Sequence, residues 1–206
     1  MTRLLLAEDQ AMIREALATL LDLEADLEVV AAVGRGDEVL DALGAAQRAG
    51  TPVEVALLDI EMPGMDGICA AQHAHRAYPE LRIVILTTFG RPGFLRRAME
   101  AGASAFLVKD APAAQLADAI RRVVAGERVI DPDLAAAALA DGVNPLTSRE
   151  RDVLVASAGG ASNAEIAAKL FLSEGTVRNY LSACIQKTGT RNRTEALTLA
   201  RTKGWL

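Results

Sequence analysis

The sequence predicts two domains: a doubly wound α/β domain of five β-α units, then an all-α domain of four helices containing a helix-turn-helix. Three observations carry this. Up to residue 125, short β-prone runs alternate with amphipathic helical stretches. From Pro145 the apolar spacing is helical throughout and punctuated by capping residues. Charge divides at the same place: residues 1–143 hold 13 Lys/Arg against 22 Asp/Glu, a net −9, and residues 144–206 hold 9 against 5, a net +4. An acidic domain joined to one suited to a polyanion is the simplest reading of that division.

Strands are expected at 3–7, 28–33, 53–58, 82–87 and 104–108. Their runs show little alternation, as in strands buried on both faces of a parallel sheet with right-handed crossovers. Helices are expected at 11–23, where Ile13, Leu17, Leu20 and Leu21 share a face, and at 37–49, 67–77, 93–101 and 113–125. Residues 126–143 read as a linker carrying Asp131-Pro132-Asp133, four alanines at 135–138 that favour some helix, and Asp141-Gly142. The domains are thus 1–125 and 144–206. In the second, Thr147-Ser148-Arg149-Glu150 and Ser162-Asn163-Ala164-Glu165 match the capping box, in which hydroxyl and carboxylate satisfy each other's backbone amides. Asn192 and Ser173 are further N-caps, which places helices at 148–158, 163–170, 174–187 and 193–203. The second and third of these are separated by only a few residues, as in a helix-turn-helix.

Composition narrows the possibilities. With 51% hydrophobic and only 3% aromatic residues, the cores must be built from Ala, Leu, Val and Ile. Cys69 and Cys184 lie far apart without metal-ligand spacing and read as small buried hydrophobes in a reducing compartment. No run approaches the ~18 apolar residues of a membrane span, and 4–7 is too short for a signal-peptide core, so a cytoplasmic protein without a membrane partner is expected.

Four strands deliver a polar residue at their C-terminal ends: Glu8-Asp9, Asp59, Thr87 and Lys109. In an open parallel sheet that edge is where ligands bind. Carboxylates gathered there repel one another unless a hard, oxygen-preferring divalent cation such as Mg2+ joins them. Aspartate is a covalent phosphoryl acceptor, and Lys109 and Thr87 are suited to phosphoryl oxygens. The competing reading is that strand-end aspartates, Asp9 above all, only cap the next helix.

These residues, with Leu58-Asp59-Ile60-Glu61-Met62-Pro63-Gly64-Met65-Asp66-Gly67, Leu86-Thr87-Thr88, Ala101-Gly102-Ala103, Leu107-Val108-Lys109-Asp110 and Ser173-Glu174-Gly175-Thr176-Val177-Arg178-Asn179-Tyr180-Leu181, resemble response regulators of the NarL/FixJ type. Glu8-Asp9-Gln10, the 87–93 stretch and the ending Lys203-Gly204-Trp205 look closest to the DesR-like subgroup. The resemblance spans the chain and implies a flavodoxin/CheY-like receiver domain ahead of a LuxR-type helix-turn-helix. It further implies phosphorylation of Asp59 by a sensor histidine kinase, with Mg2+ held by Asp9, Asp59 and the main-chain carbonyl of Glu61, and by Glu8 through water. Thr87 and Phe106 match the switch pair, although the aromatic is often tyrosine. Lys109 is followed by Asp110 where receivers commonly carry proline, at a bond often cis in the family.

The family also implies homodimerisation on phosphorylation, through the first and fifth helices or through the fourth helix with the fifth strand and helix. Arg91, Arg96, Arg97, Arg121 and Arg122 are candidates for cross-subunit ion pairs or for a solvated basic face; Phe94 and Leu95 suit core and interface equally. On the helix at 174–187, Arg178, Asn179 and Ser182 can share an outward face opposite Val177, Leu181 and Ile185. Arginine pairs with guanine and asparagine with adenine in the major groove of double-stranded promoter DNA, and the family places base readout at these three. Thr176, Lys187, Arg191 and Arg193 suit phosphate contacts.

Two other functions compete. A phosphohydrolase passing through an aspartyl-phosphate would use Glu61 as its second carboxylate, but the DNA-binding half argues against it. A regulator working without phosphorylation conflicts with the intact acidic set. The expectation is therefore no enzyme beyond phosphorylation and dephosphorylation at Asp59 itself. His73 and His75, two apart, share no helical face. Gly34-Arg35-Gly36-Asp37 is too little for a dinucleotide fingerprint. Trp205, the sole tryptophan, is expected to pack the last helix.

Overall fold

The computed structural model describes residues 1–88, 92–109, 112–140 and 144–206. Residues 91–94 apart, it divides into two compact units, the first ending at Ala135 and the second beginning at Ala136.

The first unit is a parallel sheet of six strands in the order β2-β1-β3-β4-β5-β6. They are β1 (Thr2–Ala7), β2 (Leu27–Val33), β3 (Val55–Asp59), β4 (Arg82–Thr87), β5 (Ala105–Val108) and β6 (Val129–Ile130). Between them run α1 (Ala11–Asp22), α2 (Val39–Arg48), α3 (Gly67–Ala77), α4 (Pro92–Glu100) and α5 (Ala113–Val124). The apolar runs form strands because both faces are covered: every residue of β3 is buried. Leu4, Leu6, Val55, Leu57, Val84, Leu86 and Ala105 build one core with Leu21 of α1 and Leu116, Ile120 and Val123 of α5. Alternation sends Leu5, Ala56, Leu58, Ile83, Ile85 and Phe106 to the opposite face, where α3 contributes the buried Ile68, Ala71 and Ala74. Burying each large aliphatic side chain stabilises the fold by about 1.5–3 kcal/mol, which so aromatic-poor a core needs many times over.

The expected five strands and five helices are present, with ends within about two residues of the sequence reading. The linker expected at 126–143 needs correction. Val129 and Ile130 pair with Ala105 and Phe106 and extend the sheet, and α6 (Pro132–Ala140) follows. A two-residue strand is too short to show any periodicity in sequence, whereas the helix agrees with the alanines.

The second unit comprises α7 (Ser148–Ala156), α8 (Asn163–Leu170), α9 (Glu174–Thr188) and α10 (Arg193–Thr202). Both capping boxes form, and Ser173 and Asn192 cap α9 and α10 through the amides of Thr176 and Glu195. Val153, Leu154, Ile166, Val177, Leu181, Cys184, Ala196 and Ala200 make its core, with Trp205 packed against it. Phe171 turns the chain from α8 to α9 in the left-handed region (φ 56°). Among the described residues no helix is long and apolar enough to cross a membrane.

Candidate functional site

Strand order reverses between β1 and β3, where doubly wound sheets open a crevice at their C-terminal edge. Asp59 ends β3, Thr87 ends β4, Glu8-Asp9 follow β1 and Lys109 follows β5, so the sheet itself gathers the residues expected from sequence. The Lys109 amide donates to the Thr87 carbonyl (2.8 Å) and the Ile60 amide to the Leu86 carbonyl (3.3 Å), which extends the pairing beyond the strands.

Lys109 Nζ lies 2.5 Å from Glu8 Oε2 and 2.9 Å from Asp59 Oδ1. Glu8 is fully buried and Asp59 is 4% exposed, while Asp9 is open to solvent. Burial pushes the Glu8 and Asp59 carboxyls above their ordinary values, against the opposing pull of Lys109. Burial alone would lower the Lys109 ammonium, but Glu8 and Asp59 outweigh it and hold its pKa above the usual value. The ammonium is thus fixed by two carboxylates that its charge cannot fully compensate. Ligand oxygens of Glu8, Asp9 and Asp59 fall within 4.8 Å of one another, an all-oxygen anionic set that fits a hard divalent cation.

Asp9 does not cap α1: the N-cap is Gln10, with no side-chain bond. Glu61 is exposed in the turn beyond Asp59, held by the amides of Met62 and Gly67 donating to the Ile60 carbonyl at 3.2 and 3.0 Å. Asp66 caps α3 through the Cys69 amide (2.7 Å). A side chain at Gly67 would overlap the Asp59 carbonyl oxygen, so this turn can close only on glycine. Thr87 is buried beside the site, and the Phe106 ring is fully buried on the face of the sheet shared with Ile85. The Lys109–Asp110 bond lies outside the described residues, as does Arg91. Sequence reading missed Arg14, whose Nη1 donates to the Glu8 carbonyl at 2.5 Å. Its place one turn into the helix after the acidic pair was the available signal.

Of the candidate interface arginines, Arg97, Arg121 and Arg122 have carboxylate partners within the chain. Arg121 bonds Asp26 (2.8 and 2.7 Å) and Glu24 (2.7 Å), and Arg122 bonds Glu127 (2.8 Å). Arg121 in turn lowers the Asp26 carboxyl to about 2. Arg97 lies 3.8 Å from Asp66.

On α9, Arg178, Asn179 and Ser182 are all exposed, opposite the buried Val177, Leu181 and Cys184. Three of the residues expected to contact phosphate have partners within this unit. Lys187 Nζ lies 2.8 Å from Glu150 Oε2, Arg191 Nη2 lies 3.1 Å from Glu195 Oε1, and Arg193 donates to the Ala161 carbonyl at 2.8 Å. The Thr176 hydroxyl shares a 2.8 Å bond with that of Ser173. Glu150 was legible only as half of a capping box; it is also the 5%-exposed anchor for Lys187.

The comparisons with known proteins agree with this geometry. Residues 4–121 match the response regulator receiver domain, and residues 144–200 match the bacterial regulatory proteins of the luxR family. The chain is 44% identical over 206 residues to the uncharacterized transcriptional regulatory protein YvfU of Bacillus subtilis (strain 168), covering all of both chains. It is 42% identical over 205 residues to the transcriptional regulatory protein DesR of the same organism, covering 100% of this chain and 99% of that one. Among solved structures, the response regulator ChrA of a heme-sensing two-component system is 34% identical, with a TM-score of 0.57 and coverage of 99% and 98%. The chain belongs to the two-component response regulators that join a receiver domain to a LuxR-type DNA-binding domain.

Proposed function

We propose that Asp59 accepts a phosphoryl group from a sensor histidine kinase and that the modification drives homodimerisation and promoter binding. The observation that carries this reading is Lys109 bound to both Glu8 and Asp59 at the C-terminal edge of the sheet. A carboxylate oxygen of Asp59 attacks phosphorus while the bond from phosphorus to the kinase imidazole breaks, leaving the electron pair on nitrogen. Asp9, Asp59 and the main-chain carbonyl of Glu61 would hold Mg2+, with Glu8 acting through water, and the bound ion would supply charge neutralisation for the phosphoryl oxygens. Lys109 exchanges its contact with the Asp59 carboxylate for one with the new phosphoryl group, and the Thr87 hydroxyl donates to another of its oxygens. Phe106, whose ring is buried one strand over on the Ile85 face, is the aromatic partner of Thr87 in this switch and links the site to the surface around β5.

Arg178, Asn179 and Ser182 then read bases from the exposed face of α9, and Thr176, Lys187, Arg191 and Arg193 steady the backbone. Lys187 and Arg193 do so from positions already fixed by Glu150 and Ala161. We place the protein in the cytoplasm and assign it no turnover on a metabolite. Intact-mass spectrometry after acetyl phosphate and Mg2+ tests the reading: one added phosphoryl group in the wild type and none in Asp59→Asn is expected. Equal labelling of both would remove Asp59 as the acceptor, and sustained phosphate release from small substrates would favour a phosphohydrolase.

A further inference from the structure

We propose that Arg14 and the loop at 34–37 are positioning elements that clamp both backbone segments carrying the acidic cluster and thereby set its affinity for a divalent cation. Gly34-Arg35-Gly36-Asp37, which has no nucleotide-binding context, gains a role from where it lies. On one side, Arg14 Nη1 donates to the carbonyls of Glu8 (2.5 Å) and Asp9 (3.5 Å), where β1 ends. Gly34 leaves space for that guanidinium, since a Cβ there would stand 3.1 Å from Arg14 Nη1. The Glu8 amide donates to the carbonyl of Val33, the residue before the loop, at 3.1 Å.

On the other side the loop seats the turn that follows Asp59. A Cβ on Gly36 would overlap the Met65 carbonyl, so the two backbones touch directly. Arg35 and Asp37 form a two-pronged ion pair, 2.9 Å from Nε to Oδ1 and 2.7 Å from Nη2 to Oδ2. This pair faces Gly64, where a Cβ would come within 2.5 Å of both Arg35 Nη2 and Asp37 Oδ2. Gly64 has φ 79°, a conformation that side chains rarely adopt, so the turn is shaped to accept the pair. Residues 33–37 thus reach both sides: Val33 holds the Glu8 amide and Gly34 lies against Arg14, while Gly36 and the Arg35–Asp37 pair meet the turn at Gly64 and Met65. Among the described residues the Arg14 guanidinium has no carboxylate partner; its bonds go to the main chain that presents the ligands.

Groups that orient metal ligands typically change metal affinity by about 10–100-fold when removed. The inference rests on the acidic cluster being a cation site, and Mg2+ titration calorimetry of the full-length protein separates the two ideas. Arg14→Ala and Arg35→Ala are each expected to weaken Mg2+ by about tenfold or more, with Arg14→Lys recovering part of the loss. Metal-free melting temperatures are expected to stay close to wild type for Arg35→Ala, whose ion pair is 46% and 43% exposed. Unchanged Mg2+ affinity in Arg35→Ala overturns the proposal, even if Arg14→Ala fails to fold. Absence of Mg2+ binding by the wild type would instead overturn the acidic cluster as a cation site.

Discussion

The Lys109 ammonium lies 2.9 Å from the Asp59 carboxylate while also holding Glu8, so one buried cation serves two buried anions. Removing one member of a buried ionic group leaves uncompensated charge and costs about 3–5 kcal/mol. Lys109→Met should therefore lower unfolding stability by that order in metal-free buffer. Mg2+ should recover part of the loss by supplying the missing positive charge. Urea unfolding with and without Mg2+ measures both effects; an identical deficit in the two buffers would show that no cation shares this site.

Gly67 is the point where the turn after Asp59 enters α3 against the Asp59 carbonyl. Gly67→Ala must move either the turn or the strand end. A destabilisation of about 1–3 kcal/mol is expected, as for other overpacked sites, together with slower labelling by acetyl phosphate. Labelling kinetics at wild-type rate would mean that the turn yields without moving Asp59.

Arg178 stands exposed on α9, the proposed recognition helix, and no partner for it is seen among the described residues. Arg178→Ala should weaken binding to a specific operator by about 1–3 kcal/mol while leaving random-sequence binding nearly intact. An equal loss on both DNAs, measured by fluorescence anisotropy, would make it a phosphate contact instead.

Glu150 is expected to contribute to the acid sensitivity of the second unit. Burial would raise its carboxyl, but the Lys187 ammonium and the Thr147 amide outweigh that and hold its pKa below the usual 4.5. A depressed carboxyl contributes stability in full above its unfolded value, and this is lost as pH falls through the folded value. The loss should therefore begin near pH 4.5 and continue below it. Trp205, the only tryptophan, reports this unit alone. Glu150→Gln should cost about 1.5–3 kcal/mol at neutral pH and flatten the acid dependence of the Trp205 signal. An unchanged acid transition in the variant would assign it to another group.

What the sequence made legible was local or repeated. The strand-end residues Asp59, Thr87 and Lys109 could be placed because buried parallel strands leave continuous apolar runs, each closed by a polar residue. Thr147 with Glu150, and Ser162 with Glu165, were readable because a capping box is a contact three residues long. Contacts between distant segments left no such trace. Lys187 finds Glu150 across 37 residues, so its charge read simply as a phosphate contact. Arg14 bonds main-chain carbonyls, which no side-chain pattern encodes. The close approach of Gly36 to Met65 likewise depends on how two loops meet, and the short β6 exists only because β5 offers it an edge.

The most direct test is a promoter-DNA titration with and without acetyl phosphate, run in parallel for the wild type and Asp59→Asn, with sedimentation of the same samples. The wild type should gain dimer and DNA affinity together on phosphorylation, whereas Asp59→Asn should stay at the unphosphorylated level in both. Equal DNA affinity before and after phosphorylation of Asp59, or a phosphodonor response that survives in Asp59→Asn, would contradict control through this residue.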